Sequence, residues 1–175
     1  LKKLAANISP SILSCDFAML LEECNRMVQA GADSLHIDVM DGYYTANAAI
    51  LFLTSHSGAH HQVSQEASQK RVLRLPSHGY QAQDFIEPFA QAGANGFTFH
   101  YESEYADIKQ VCEAIRTKNM KVGLAIKPNT PLDQTIRQLI RESFVDMILI
   151  MTVEPGFGGQ LFNQDVMPKV KSLRE

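Results

Sequence analysis

The 175-residue chain predicts an α/β fold, specifically a (β/α) barrel of the TIM type in which about six of the eight units are present. Three observations carry this expectation. Short apolar, β-rich runs alternate with helix-like stretches, the order that builds a parallel sheet. The runs begin at residues 8, 35, 96, 122 and 147, so their starts lie 27, 61, 26 and 25 residues apart and one interval is of double length. Chemistry-bearing side chains gather at the C-terminal ends of the runs, and no G-x-G-x-x-G follows the first, which favours a barrel over an open doubly wound sheet.

The first run, Ile8 to Leu13, reads as a strand. A helix then closes at Met27 to Asp33, where Gly31 supplies the left-handed residue of a C-terminus and leads into the second run, Leu35 to Met40. The same helix, glycine, strand order returns at Phe89 to Asn95, where Gly93 precedes the run Gly96 to His100. Val122 to Ile126 and Met147 to Val153 complete the series. The double interval predicts a missing strand near residues 65 to 75. Gly58 to Arg71 has no apolar period of 2 or 3.6 and reads as loop or disorder, so the segment 43 to 83 is atypical and irregular sequence replaces the third strand. A full barrel takes about 200 to 250 residues, so residues 1–175 are expected to form a single domain truncated at the C-terminus.

With 45% hydrophobic and 20% charged residues the composition is that of a globular protein. A net charge of -3 without a Lys/Arg run gives no footprint for nucleic acid or an anionic membrane. Cys15, Cys24 and Cys112 are odd in number and lack a C-x-x-C pair, which argues for a reducing, cytoplasmic setting. The opening Leu1 to Asn7 is too short and polar for a signal peptide, and no 18-residue apolar run occurs.

An alternating strand points His36, Asp38 and Met40 to one face. Imidazole and carboxylate two residues apart can share a divalent metal ion, and the carboxylate can also move a proton; a core strand with polar residues at its mouth has equal weight. His100 either faces the same cavity or is a hydrogen-bonded structural residue. Ser11 is either a donor to a substrate oxygen or a turn serine. Met40 and Met151 suit core filling or an apolar lid over a reaction centre. In Glu154 to Gln160 the glycines Gly156, Gly158 and Gly159 leave backbone N–H groups open to an oxyanion or phosphate. Lys127-Pro128-Asn129-Thr130 reads as a turn, with Lys127 lending positive charge nearby.

Pro10-Ser11-Ile12-Leu13, Leu35 to Gly42, Gly123 to Pro128 and Met151 to Gln160 together resemble, in order and spacing, the ribulose-phosphate 3-epimerase family. The resemblance covers residues 8 to 42 and 84 to 175. It implies inversion at C3 of D-ribulose 5-phosphate to D-xylulose 5-phosphate, a reaction of the pentose phosphate pathway. It assigns Asp38 as an acid/base group and metal ligand, and His36 as a second ligand to a divalent ion (Zn, Fe, Mn or Co). It places Ser11, Met40, Met151, Gly156, Phe157, Gly158 and Gly159 at the sugar-phosphate substrate, with both methionines capping the planar intermediate. A homo-oligomer is implied for the folded chain.

The family's third-strand D-x-H-x-M-V motif has no counterpart; His78 sits in the turn-like Pro76 to Tyr80. The second catalytic aspartate and most of the phosphate-binding backbone belong to strands beyond Glu175. Residues Arg71 to Ala82 can be encoded so that a shift of one nucleotide yields Val-Ser-Phe-Asp-Cys-His-Leu-Met-Val-Thr-Lys, the missing motif, which points to a reading-frame change across the middle segment. Weak activity, or a catalytically inactive paralogue that associates with an intact epimerase, is the corresponding expectation.

Overall fold

The computed structural model describes residues 6–39, 49–54, 83–103, 107–156 and 158–174, with backbone alone for Val39 and 49–54. In chain order the elements are α1 (Leu20–Gln29), β1 (Ser34–Val39), β2 (Ala49–Thr54), α2 (Gln83–Gln91), β3 (Gly96–His100), α3 (Ile108–Thr117), β4 (Lys121–Ile126), α4 (Gln134–Arg141), β5 (Met147–Ile150) and α5 (Met167–Arg174). Short 3-10 turns stand at Phe17–Met19 and Gln164–Val166.

The strands form one sheet in the order β1-β2-β3-β4-β5. The α/β class is as expected, and β3, β4 and β5 run parallel. The sheet is nevertheless mixed, because β2 is antiparallel to both β1 and β3. Residues 40 to 48 are too few for the crossover that parallel neighbours need, so the chain returns directly. Part of the atypical segment thus fills the vacancy expected for the third strand; the stretch 65 to 75, and with it His78 and Arg71 to Ala82, lies outside the described residues.

Ile8 to Leu13 runs beside β1 in the parallel sense, joined by one bridge, Ser11 to His36, rather than by a strand ladder. Pro10 lacks an N–H, its carbonyl accepts from His36 at 2.9 Å, and Ile12 N–H donates to the His36 carbonyl at 3.0 Å. The Ile8 N–H turns instead to the Asp33 carboxylate at 2.7 Å. β5 ends at Ile150, short of Val153, although Met151 N–H still donates to the Ile126 carbonyl at 3.0 Å.

Helix starts are capped by short acids: Asp107 accepts from the Lys109 N–H at 2.8 Å and Asp133 from the Ile136 N–H at 2.9 Å. Past the ends of α1 and α2, Gly31 and Gly93 adopt φ of 99° and 85°, as their sequence contexts predict. Asn119 and Ser143 take the same role after α3 and α4.

One face of the sheet carries Phe97, Phe99, Val122, Leu124, Ile126, Ile148 and Ile150, which pack in one cluster with Phe85, Ile86 and Phe89 of α2, Val111, Cys112 and Ile115 of α3, and Ile136 and Leu139 of α4. A smaller cluster joins Leu35 to Ile12, Leu20 and Cys24, and Ile37 touches both. Burial of this apolar surface is the main stabilising term. Alternation along the strands then leaves His36, Asp38, Thr98, His100, Gly123 and Ala125 on the opposite face.

Candidate functional site

On that opposite face, Ser11 Oγ donates to Asp38 Oδ2 at 2.5 Å, and His36 Nε2 stands 3.1 Å from Asp38 Oδ1. The parallel bridge between Ser11 and His36 is what delivers the hydroxyl, because it fixes the first segment in register with β1. Both carboxylate oxygens are therefore engaged. His36 and Asp38 side chains are 14% and 17% exposed, enough for a small molecule to reach them. Burial pushes the Asp38 carboxyl up, but the hydrogen bonds from His36 and Ser11 outweigh it and hold the group below its ordinary value. Asp38 is thus a carboxylate at neutral pH, the form a proton acceptor needs.

The glycine-rich loop after β5 reaches this end of the molecule. A Cβ on Gly158 would lie 2.6 Å from Ser14 Oγ, so the loop passes beside the segment that carries Ser11. Gly156 and Gly159 take φ of 149° and 79°, conformations that side chains rarely adopt. Met151, half-buried, continues the alternation of Met147 and Leu149. The structure therefore brings together Ser11, His36 and Asp38, and sets the glycine-rich loop near them. Met40 and Phe157 lie outside the described residues.

Residues 7–175 match the model of the ribulose-phosphate 3 epimerase family. The chain belongs to that family. It is 41% identical over 171 residues to the cytoplasmic isoform of ribulose-phosphate 3-epimerase from Oryza sativa subsp. japonica, covering 98% of this chain and 72% of that protein. It is 40% identical over 176 residues to the ribulose-phosphate 3-epimerase of Candida glabrata, covering 95% and 70%. The Synechocystis enzyme of the same name is 36% identical over 170 residues, covering 96% and 69%. By family, then, the protein is a carbohydrate epimerase, an isomerase.

In this epimerase chain, His36 and Asp38 offer two donors close enough to share one ion. Among the described residues no group of three or more His, Cys, Asp or Glu could hold a metal, so the described part does not complete a coordination shell. No described helix is long and apolar enough to cross a membrane. All three cysteines are free, and burial pushes the Cys112 thiol up to about 11, which leaves it unreactive.

His100 is buried at the end of β3, and its Nδ1 approaches Glu102 Oε2 at 3.4 Å. Glu102 Oε1 also accepts from the Lys127 N–H at 2.8 Å. Burial would raise the Glu102 carboxyl, yet His100, Thr130 and the Lys127 N–H hold it down at about 2. Sequence reasoning passed over Glu102, although its place two residues after a strand-end histidine was a usable signal. It also passed over Lys169, which sits in an ordinary helix sequence and carries no local signal.

Proposed function

We propose that the chain acts on D-ribulose 5-phosphate, inverting C3 to give D-xylulose 5-phosphate, on a (β/α) barrel in the cytoplasm. One observation carries the reading: Asp38 is held as a carboxylate by Ser11 and His36 beside a glycine-rich loop. Asp38 takes the C3 proton, the electron pair moves into the C2–C3 bond with charge on the C2 oxygen, and a proton returned to the other face of C3 completes inversion. Ser11 fixes the acceptor oxygen, Met40 and Met151 cover the planar intermediate, and Gly156 to Gly159 with Phe157 line the substrate site. A divalent ion held by His36 and Asp38, with water at its other positions, would stabilise the charge that develops on the substrate oxygen.

Inversion needs a second acid/base group on the far face of C3. The D-x-H-x-M-V motif, whose histidine the family resemblance makes a further metal ligand, does not occur in this sequence. With that ligand missing, we propose that the chain turns its substrate over weakly. The other reading is an inactive paralogue that only associates with an intact epimerase. Exposed Phe17, Leu161 and Phe162, at 61%, 93% and 57%, favour self-association in either case.

Incubation of D-ribulose 5-phosphate with the chain in D2O, followed by NMR and product analysis, separates these outcomes. Deuterium at C3 with little xylulose 5-phosphate supports weak turnover. Rapid turnover to the equilibrium mixture refutes impairment. No exchange at all, with or without added divalent metal, sinks the catalytic reading.

A further inference from the structure

Lys169, on the first turn of α5, directs its ammonium at three backbone carbonyls of the loop that follows β4. Nζ donates to the carbonyls of Lys127 at 3.2 Å, Pro128 at 2.6 Å and Thr130 at 2.5 Å. An ammonium has three N–H donors, and all three are used. From the β3 side, Glu102 Oε1 accepts the Lys127 N–H at 2.8 Å. A cation thus grips the carbonyls of this loop and an anion grips its leading N–H.

The loop is in turn tied to the glycine-rich loop. Asn129 Nδ2 donates to Glu154 Oε1 at 3.2 Å, and Gln160 Nε2 donates to the Glu154 carbonyl at 2.7 Å. A continuous run of bonds therefore leads from α5 and β3 through 127–130 to 154–160. We infer that Lys169 and Glu102 are positioning residues that clamp the loop after β4 from two sides and thereby set the glycine-rich loop. The contacts are backbone-directed on the loop side, so they fix main-chain geometry whatever the side chains there do. Charge makes both ends strong, since hydrogen bonds to ionised groups are about twice as strong as neutral ones. The consequence for ligand binding rests on the sugar-phosphate reading; the clamp itself does not.

Hydrogen–deuterium exchange on the purified 175-residue chain tests the clamp directly. Lys169→Met keeps the stem and removes the ammonium, and the amides of Lys127, Asn129, Thr130, Glu154, Gly156 and Gly158 to Gln160 are expected to exchange about tenfold faster while α1 and β1 are unchanged. In Lys169→Ala, added ethylammonium is expected to restore protection and neutral ethanol to leave it lost. Glu102→Gln is expected to loosen the same two loops to a smaller extent, and it decides the matter should the Lys169 variants not fold. Unchanged exchange in both loops, a uniform rise across the molecule, or equal rescue by ethanol would overturn the clamp. Binding of D-ribulose 5-phosphate is expected to weaken about tenfold in Lys169→Met, a loss of about 1.4 kcal/mol. If the unaltered chain takes up no D-ribulose 5-phosphate, the sugar-phosphate reading fails while the exchange comparison still decides the clamp.

Discussion

Ser14 Oγ lies 2.6 Å from the point where a Cβ would stand on Gly158, although one residue follows the segment beside β1 and the other follows β5, at the opposite edges of the described sheet. A flat sheet of five strands would hold those edges far apart, since neighbouring strands are spaced by about 4.8 Å. The sheet is therefore strongly curled, and the curl is what carries the glycine-rich loop to Ser11 and Asp38. Gly158→Ala is expected to destabilise the chain by no more than about 1 kcal/mol in urea unfolding, because the clash is with the rotatable hydroxyl of the exposed Ser14. Ser14→Ala combined with it should recover most of that loss, because the remaining Ser14 Cβ stands 4.0 Å away, at ordinary contact. Additive losses in the double variant would show that Ser14 is not the obstacle.

Gly123 presents the contrasting case inside the sheet. A Cβ there would meet the Thr98 side chain, whose own Cβ would be 2.9 Å away, and Met147 Cε at 3.0 Å. Thr98 is rigidly placed on β3 directly opposite Gly123. Gly123→Ala is expected to cost several kcal/mol, on the order of 3, and Thr98→Ala should rescue it only in part, because it removes the Thr98 hydroxyl, the nearest atom, but leaves the Thr98 Cβ at 2.9 Å and Met147 Cε at 3.0 Å. Thermal unfolding of the three variants reads both claims.

What could be read from the sequence followed from its periodicities. Alternation in Leu35 to Asp38 assigned faces correctly, and the glycines at 31 and 93 marked two helix ends where φ is positive. The direction of β2 was not legible, because Ala49 to Thr54 is an apolar run whose partner is decided by the shortness of the connection from β1. The apolar residues of the first segment predict a strand, yet Pro10 and the Asp33 contact to the Ile8 N–H reduce it to a single bridge. Contacts between distant segments, such as Ser14 with Gly158 or Lys169 with the 127–130 carbonyls, leave no trace in local pattern. They depend on curvature and on backbone atoms that every residue shares.

Glu102 makes the stability acid-sensitive. Its carboxyl sits at about 2 in the folded chain against an ordinary 4.5, so the unfolded chain takes up a proton first as pH falls. The stabilisation is complete above about pH 4.5 and is lost as pH falls through about 2. With its side chain 18% exposed, the effect is on the order of 2–3 kcal/mol. Urea unfolding of the unaltered chain and Glu102→Gln at pH 5 and at pH 2.5 should therefore show a gap that shrinks to a small fraction at the lower pH. Curves that stay parallel would show that Glu102 does not hold its proton so loosely.

An ion bound by His36 and Asp38 with water at the other positions should bind weakly. Calorimetric titration with Zn2+ or Mn2+ is expected to show one weak site, and His36→Ala should abolish it. Tight binding that survives His36→Ala would place the ion elsewhere.

On the reading proposed above Asp38 takes the C3 proton, so its variants should separate fold from function. Asp38→Asn keeps the shape and an acceptor oxygen for Ser11 but cannot take a proton, so deuterium exchange at C3 should fall by about 10²–10⁴, the usual contribution of a general base. Ser11→Ala leaves the carboxylate in place and removes one of its two hydrogen bonds, at 2.5 Å the shorter one. Exchange should then fall by at least about tenfold, in keeping with the roughly 1.5–3 kcal/mol that a hydrogen bond to a charged group contributes. Unfolding free energies of both variants should stay within about 1 kcal/mol of the parent, since the trio lies on the face opposite the main apolar cluster. Exchange that persists in Asp38→Asn at the parent rate would move the base to another residue and remove the reason for placing the reaction on β1.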